Sequence, residues 1–427
     1  MMEQSSVTLP NKLRVLLHRM PSMATVSVCF YILSGARDET PKQTGAAHLL
    51  EHMLFRGSEV FSEEDIRRAM RETGSDMNAF TAWEGTCVYA RMLPEYFGSL
   101  FPVLADMVRH PKLDAADYEV EQSVVQEELA RQLDEPRSVM LHELHRISFA
   151  GRMGGILIGS KEQIGALELH ELRAFHWSHY VPDNTLVIIT GAYEEKQIDE
   201  ALASLEDWLP GTGGLDGGLQ SEETRQGQSM SPLSEADGRV STLEAPLFRN
   251  GAGIWGWRLP ELQGAEHYAA HLLCTLLGDD NTLGSRFETV LVRARIAEQA
   301  NAVYTSFTGG GMLKIYSTFP PGQEEKVQDI VMDELRRLLE GKSDPEELRR
   351  AKNKIKTQLA VDASTTDSRM ISMAQAWLPG REMVTLQEVL NRIDALTERQ
   401  LANLAGRLLE EPPFQVIAGP PEHAKLS

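Results

Sequence analysis

Two histidines four residues apart, with a glutamate directly before the second, are the residues of this chain best suited to chemistry: His48-Leu49-Leu50-Glu51-His52. On a helix, positions i and i+4 share one face, so both imidazoles can aim at one point. Two imidazoles so placed can hold a Zn²⁺, and a neighbouring carboxylate can take the proton of a metal-activated water. That chemistry would hydrolyse a peptide bond. A zinc site open to water needs a third protein ligand from elsewhere in the chain. Residues 114–132 have helical apolar spacing, and Glu121 and Glu128 lie two turns apart on one face of it.

The elements that must position these groups can be read in order. Residues 25–33 are β-branched and aromatic and predict a strand. Residues 45–55 predict the short helix that carries the histidines. Ser62 and Asp65 form a capping-box pattern that opens a helix ending at Gly74. Strands are expected over 77–82, 86–92 and 186–190, and helices over 95–109 and 114–132. Residues 211–238, rich in Gly, Ser, Glu and Gln without apolar periodicity, read as a linker.

Beyond that linker the first half repeats. Met77-Asn78-Ala79-Phe80-Thr81 has a counterpart in Ala300-Asn301-Ala302-Val303-Tyr304, and Val88-Tyr89-Ala90 in Lys314-Ile315-Tyr316. Each is followed by proline and an amphipathic helix, and then by an acidic helix start at Asp114 or Asp344. The expected architecture is α+β, with two homologous α/β halves, each a mixed sheet with helices on one side. The first half spans 1–210, a flexible linker 211–245, and the second half 246–427.

Composition narrows the partners. The chain has 427 residues, 24% of them charged and 42% hydrophobic, and a net charge of −20. Nucleic acid and anionic membrane are excluded as natural partners, while a basic peptide suits the charge. No basic region followed by an apolar run opens the chain, and no stretch is apolar enough to span a bilayer. Three distant cysteines without a CxxC fit a reducing compartment. A cytoplasmic location is expected.

The stretch 45–58, Gly-Ala-Ala-His-Leu-Leu-Glu-His-Met-Leu-Phe-Arg-Gly-Ser, resembles the active-site helix of the pitrilysin/insulinase-type inverzincins. The likeness is to the branch of mitochondrial processing peptidase and its bacterial relatives. Further matches follow in order: residues 9–16, Gly35-Ala36-Arg37-Asp38-Glu39, Asn78-Ala79-Phe80-Thr81, Glu121 through Glu128, Asp134-Glu135-Pro136 and Tyr180-Val181-Pro182-Asp183-Asn184. The resemblance implies His48, His52 and Glu128 as zinc ligands, Glu51 as general base, and Glu121 as a carboxylate supporting the site. It implies that Asn78, Ala79 and Phe80 form an edge strand that takes substrate by strand addition. It also implies that the halves close as a clamshell around an extended peptide.

The second half departs from the catalytic pattern. Gln358 stands where the repeat places Glu128, and Cys274 and Thr275 stand at the places of Glu51 and His52, leaving His271 alone on a ligand position. A degenerate half without metal is expected. Family members that act as single chains carry an Arg and a Tyr seven apart there, at positions held here by Val292 and Gln299. That absence resembles the zinc-bearing subunit of a two-chain enzyme. The resemblance thus implies a homologous non-zinc partner in a heterodimer, or else a homodimer. The alternative is a non-catalytic core subunit of the same architecture, which the intact His48, Glu51, His52 and Glu128 oppose.

Other clusters are read as structural. His267 and His271 have no acid between them, and His142-Glu143-Leu144-His145 reads as a solvated face. His176 and His179 read as packed, Gly309-Gly310-Gly311 as a hairpin turn, and Arg349 through Lys354 as a basic helix face.

Overall fold

The computed structural model describes residues 3–209, 239–244, 250–279, 284–376 and 384–420. Most of the expected linker lies outside them; its last residues, Val240–Glu244, form a strand. The chain divides into two compact units. One comprises Met1–Ala130, Ile156–Ser221 and Val361–Val384, and the other Arg131–Gly155, Glu222–Ala360 and Thr385–Ser427.

In the first unit six strands form one sheet: β1 (Glu3–Thr8), β2 (Arg14–Arg19), β3 (Val26–Ile32), β4 (Asp76–Thr81), β5 (Thr86–Met92) and β6 (Thr185–Gly191). Their order is β1-β2-β6-β3-β5-β4, mixed because β2 and β6 run parallel. The second unit has β7 (Val240–Glu244), β8 (Gly251–Leu259), β9 (Gln299–Phe307), β10 (Gly310–Phe319) and β11 (Phe414–Gly419), in the order β7-β11-β8-β10-β9. Here β7 and β11 are the parallel pair. Without β1, the first order maps onto the second strand for strand, so the repeat seen in sequence is a repeat of topology. The β9–β10 connection is a tight turn at Thr308-Gly309, with Gly309 at φ 80°, as the glycine run predicted.

The helices follow the same plan. The first half of the chain supplies α1 (Ala46–Leu54), α2 (Glu63–Thr73), α3 (Phe97–Arg109), α4 (Ala115–Asp134), α5 (Pro136–Ser148), α6 (Lys161–Ala166), α7 (Leu169–His179) and α8 (Glu195–Ala203). The second supplies α9 (Ala265–Leu277), α10 (Glu324–Leu339), α11 (Pro345–Asp362), α12 (Thr366–Ala376), α13 (Leu386–Asp394) and α14 (Glu398–Glu410). The long helices α4 and α11 correspond: Asp114 and Asp344 each accept a backbone N–H two residues on.

A strand buried on both faces explains why a sequential division of the chain does not contain the units. All seven residues of β3 are buried. Because side chains alternate, Val26, Val28, Phe30 and Ile32 join the helix-covered core, while Cys29, Tyr31 and Leu33 face the other way. That second face is covered by Met370, Met373 and Ala374 of α12, a helix remote in sequence. Polar contacts fix it there. Ser27 Oγ donates to Thr366 Oγ1 at 2.7 Å, Thr190 Oγ1 donates to the Thr366 carbonyl at 2.8 Å, and Arg91 pairs with Asp367 at 2.7 Å. In the second unit α5 plays the same part, packing on β8 and β11.

The position of α5 corrects one expectation. His142 and His145 are not on a solvated face; His145 is buried and its Nδ1 lies 3.2 Å from the Met153 carbonyl. The expected packing of His176 is found, with Nε2 at 2.9 Å from the Val108 carbonyl. Burial lowers both pKa values from 6.5 to about 4, with nearby cationic groups adding to the effect. A depressed histidine stabilises the fold above its unfolded value, and that contribution is lost as pH falls from 6.5 towards 4. Each should cost about 2 kcal/mol between pH 7 and pH 5. Denaturant titrations at the two pH values will show this loss, and His176→Gln, whose amide can keep the carbonyl contact, should remove part of it. An unchanged pH dependence in the variant would contradict the assignment.

Candidate metal and peptide site

The histidine helix α1 starts from an unusual N-terminus. Gly45 has φ 92°, and a Cβ there would lie 2.8 Å from the Ile158 carbonyl oxygen, so glycine is required. The buried Glu39 carboxylate caps the helix, accepting from the backbone N–H of Gly45 and of Ala47, both at 2.9 Å. A carboxylate there complements the helix dipole and satisfies two otherwise orphaned donors. Ala46, Ala47, Leu49, Leu50, Met53 and Leu54 anchor the helix in the core, which leaves the His48–Glu51–His52 face for chemistry.

Helix α4 brings the third group. Tyr118, Glu121, Val125 and Leu129 are its buried residues, and Glu128 stands at the margin of that stripe. Glu128 Oε2 lies 3.7 Å from His48 Nε2 and 3.6 Å from His52 Nε2. Donors bound to one tetrahedral zinc at ~2.0–2.2 Å stand about 3.3–3.5 Å apart, so Glu128 is at nearly metal-binding separation from each imidazole, and all three donors lie within 4.8 Å of one another. Among the described residues they are the only such group of three. Glu127 is exposed and lies outside this group.

The surrounding contacts suit a metal. His52 Nδ1 lies 2.9 Å from Glu121 Oε2, which orients Nε2 towards Glu128. Glu121 is itself held by Arg56, whose Nε donates to Oε1 at 2.5 Å, and Arg56 also reaches Glu63 at 3.3 Å. Burial, together with His52, lowers the His48 pKa to about 4 against the opposing pull of Glu128. The ring is therefore neutral near pH 7, the form a metal needs. For His52, burial opposes protonation, but hydrogen bonds with Glu128 and Glu121 outweigh it and the pKa is raised.

Glu51 stands apart from the ligand group. Thr81 Oγ1 donates to its Oε2 at 2.5 Å, and burial raises its pKa despite that hydrogen bond. Thr81 ends β4, the outermost strand of its sheet, paired only with β5 among the described strands. On β4, Asn78 is exposed, while Ala79 and Phe80 are partly buried against opposite faces of the sheet. One strand thus holds the Glu51 carboxylate and forms the edge of its sheet beside it, where the Ala79 N–H donates to Asn78 Oδ1 at 2.8 Å. Sequence reasoning assigned no role to Thr81, Arg56 or Glu39, although all three lie in the quoted motifs. For Arg56 and Glu39, closeness in sequence to the histidine helix was the available signal.

The second unit carries counterparts of these residues in altered form. Tyr304, three residues after Asn301 on β9, occupies the place of Thr81, three after Asn78 on β4. Tyr304 touches the rings of both His267 and His271, whose centroids are 4.8 Å apart at 65°, the geometry of His48 and His52. This moves the expected correspondence by one helical turn: the counterparts are His267 and His271, not His271 alone, and Ala270 replaces Glu51. Buried Ala351 replaces Glu121, and exposed Gln358 replaces Glu128. Two imidazoles remain without the carboxylates. Val292 ends a five-residue π-helical turn and Gln299 opens β9; Arg293 is paired with Glu288 at 3.0 Å.

The chain is similar to known proteins along nearly its whole length. Residues 14–161 match the model of the insulinase peptidase family M16, and residues 166–355 that of the M16 inactive domain. The chain is 26% identical over 417 residues to YmxG of Bacillus subtilis strain 168, described as an uncharacterized zinc protease, covering 95% of each protein. It is 23% identical to an Arabidopsis thaliana protein described as a probable mitochondrial-processing peptidase subunit beta, covering 97% of this chain and 78% of that one. Among solved structures, a Helicobacter pylori protease superposes with a TM-score of 0.83 at 18% identity, over 98% of this chain and 100% of that one. A chain of complex III2 from Candida albicans gives 0.80 at 17%, over 97% and 95%. With both domain models matched in order and relatives aligned along nearly the whole chain, this protein belongs to the insulinase family of peptidases, M16.

Proposed function

We propose that this chain is a zinc-dependent endopeptidase that cleaves extended peptides. The observation that carries the proposal is the convergence of His48 Nε2, His52 Nε2 and Glu128 Oε2 beside a half-buried Glu51 that is not one of them. Zinc held by these three residues would supply Lewis acidity, polarising the scissile carbonyl and lowering the pKa of the attacking water. Glu51 takes the proton from that water and delivers it to the leaving amine. Glu121 holds His52 in one tautomer through Nδ1. The substrate backbone adds to the outer edge of β4 at Asn78, Ala79 and Phe80, which sets the peptide in line beside Glu51. The net charge of −20 favours basic peptides.

Full activity needs a homologous subunit without zinc. The support is chemical: an oxyanion and substrate clamp wants a cation and a phenol, and Val292 and Gln299 can supply neither. The purified chain is expected to hold zinc yet cleave a quenched basic peptide weakly. Adding a related chain that carries the Arg/Tyr pair should raise the rate by about 100-fold, the scale for one oxyanion donor. Metal content and hydrolysis measured on one preparation test both statements. Absence of zinc would remove the peptidase reading; full activity alone would remove the partner.

A further inference from the structure

The second unit contains a small cationic cavity that the metal site does not use. Asn301 and Tyr316 are paired across β9 and β10, as are Val303 and Lys314. Residues two apart on a strand share a face, so these four side chains form one patch. Ile254 of β8 extends it beside Tyr316, and Arg137 and Leu141, one turn apart on α5, cover it. Together the seven line a half-open cavity of about 80 Å³.

Its charge is unbalanced. Lys314 makes no hydrogen bond or ion pair among the described residues, and the Arg137 guanidinium lies over the Tyr316 ring, 5.0 Å from its centroid. Burial, reinforced by Arg137, lowers the Lys314 pKa to about 8, so the ammonium remains largely charged at neutral pH. His145 and Cys274 also face Lys314, both uncharged there, and Glu135 approaches Tyr316. A largely buried cation without a partner is costly, and a bound anion would relieve it. The walls of Leu141, Ile254 and Val303 suit a short aliphatic stem. A cavity of about 80 Å³ suits a small terminal group, and its open side leaves room for what carries that group. A planar guanidinium fork beside a point-charge ammonium matches a carboxylate.

We infer that this cavity binds a carboxylate on a short aliphatic stem, held between Arg137 and Lys314. Two sources offer that group: the C-terminus of a peptide or a free small organic acid. The site stands on its own geometry and does not depend on the peptidase reading.

Calorimetric titration of the full chain with propionate, and with propionamide as the uncharged isostere, tests it. Saturable propionate binding is expected, with none for propionamide. Arg137→Met and Lys314→Met, which keep the aliphatic stems, should each weaken it at least ~10-fold. No saturable binding by the wild type, or binding unchanged in both variants, would overturn the inference. Peptides with free or amidated C-termini, titrated into Glu51→Gln, separate the sources. A preference of about 10-fold for the free terminus that vanishes in Arg137→Met assigns the cavity to peptide ends. Equal peptide binding alongside retained propionate binding assigns it to a free acid.

Discussion

Glu51→Gln is expected to leave zinc at about one per chain while lowering peptide hydrolysis about 10³-fold, within the range for loss of a general base. The two readouts separate because the geometry separates the groups. Glu51 engages Thr81 Oγ1 at 2.5 Å, whereas the donors that converge belong to His48, His52 and Glu128. A glutamine keeps the shape and can still accept from Thr81, so the helix and its histidines should stay in place. What it cannot do is accept a proton from water. Burial raises the Glu51 pKa, which makes its carboxylate a stronger base than an exposed one. Metal analysis and peptide turnover on the same sample decide the matter. Zinc loss would mean that Glu51 is a ligand, and unchanged turnover would mean that another group moves the proton.

The sequence made the histidine pair legible because its information is local: one helix, one turn, two rings. Glu128 was harder, since periodicity left Glu121 and Glu128 equal candidates. Only the resemblance, and then the buried stripe of α4, separated the carboxylate that faces both Nε2 atoms from the one that holds Nδ1. The repeat was legible through its strands, where Asn78 and Asn301 sit in matching hairpins. It was misregistered by a turn in the helix, because insertions between helix and strand shift the spacing without changing which residues touch. Tyr304 against His267 and His271 shows the true pairing. The exchange of α5 and α12 left no local trace at all. A helix that covers the second face of a sheet looks amphipathic whichever sheet it covers, and the partners of Thr366, Ser27 and Thr190, are remote in sequence. The same limit explains why His145 read as solvated.

Zinc affinity should respond unequally to the two glutamates of α4. Glu128→Gln removes an anionic ligand and is expected to weaken binding by at least about 100-fold, since three ligands share a binding free energy of about 10 kcal/mol or more. Glu121→Gln should weaken it about 10- to 100-fold, the scale for a carboxylate that acts through a ligating histidine. The smaller loss follows from what remains. His52 keeps its Nε2 facing Glu128 at 3.6 Å, and the amide oxygen can still accept from Nδ1, though without charge. Arg56 loses its pairing with Glu121 but retains Glu63 at 3.3 Å, so the variant does not strand a cation. Competition with a chelator of known affinity, run on wild type and both variants, orders the three. Zinc should also release a proton as it binds, chiefly from His52, whose pKa is raised, and little from His48, already neutral near pH 7. Affinity therefore falls with pH as His52 protonates, and Glu121→Gln, which removes one support for that proton, should shift the fall to lower pH. A larger loss in Glu121→Gln than in Glu128→Gln would reverse the roles assigned to them.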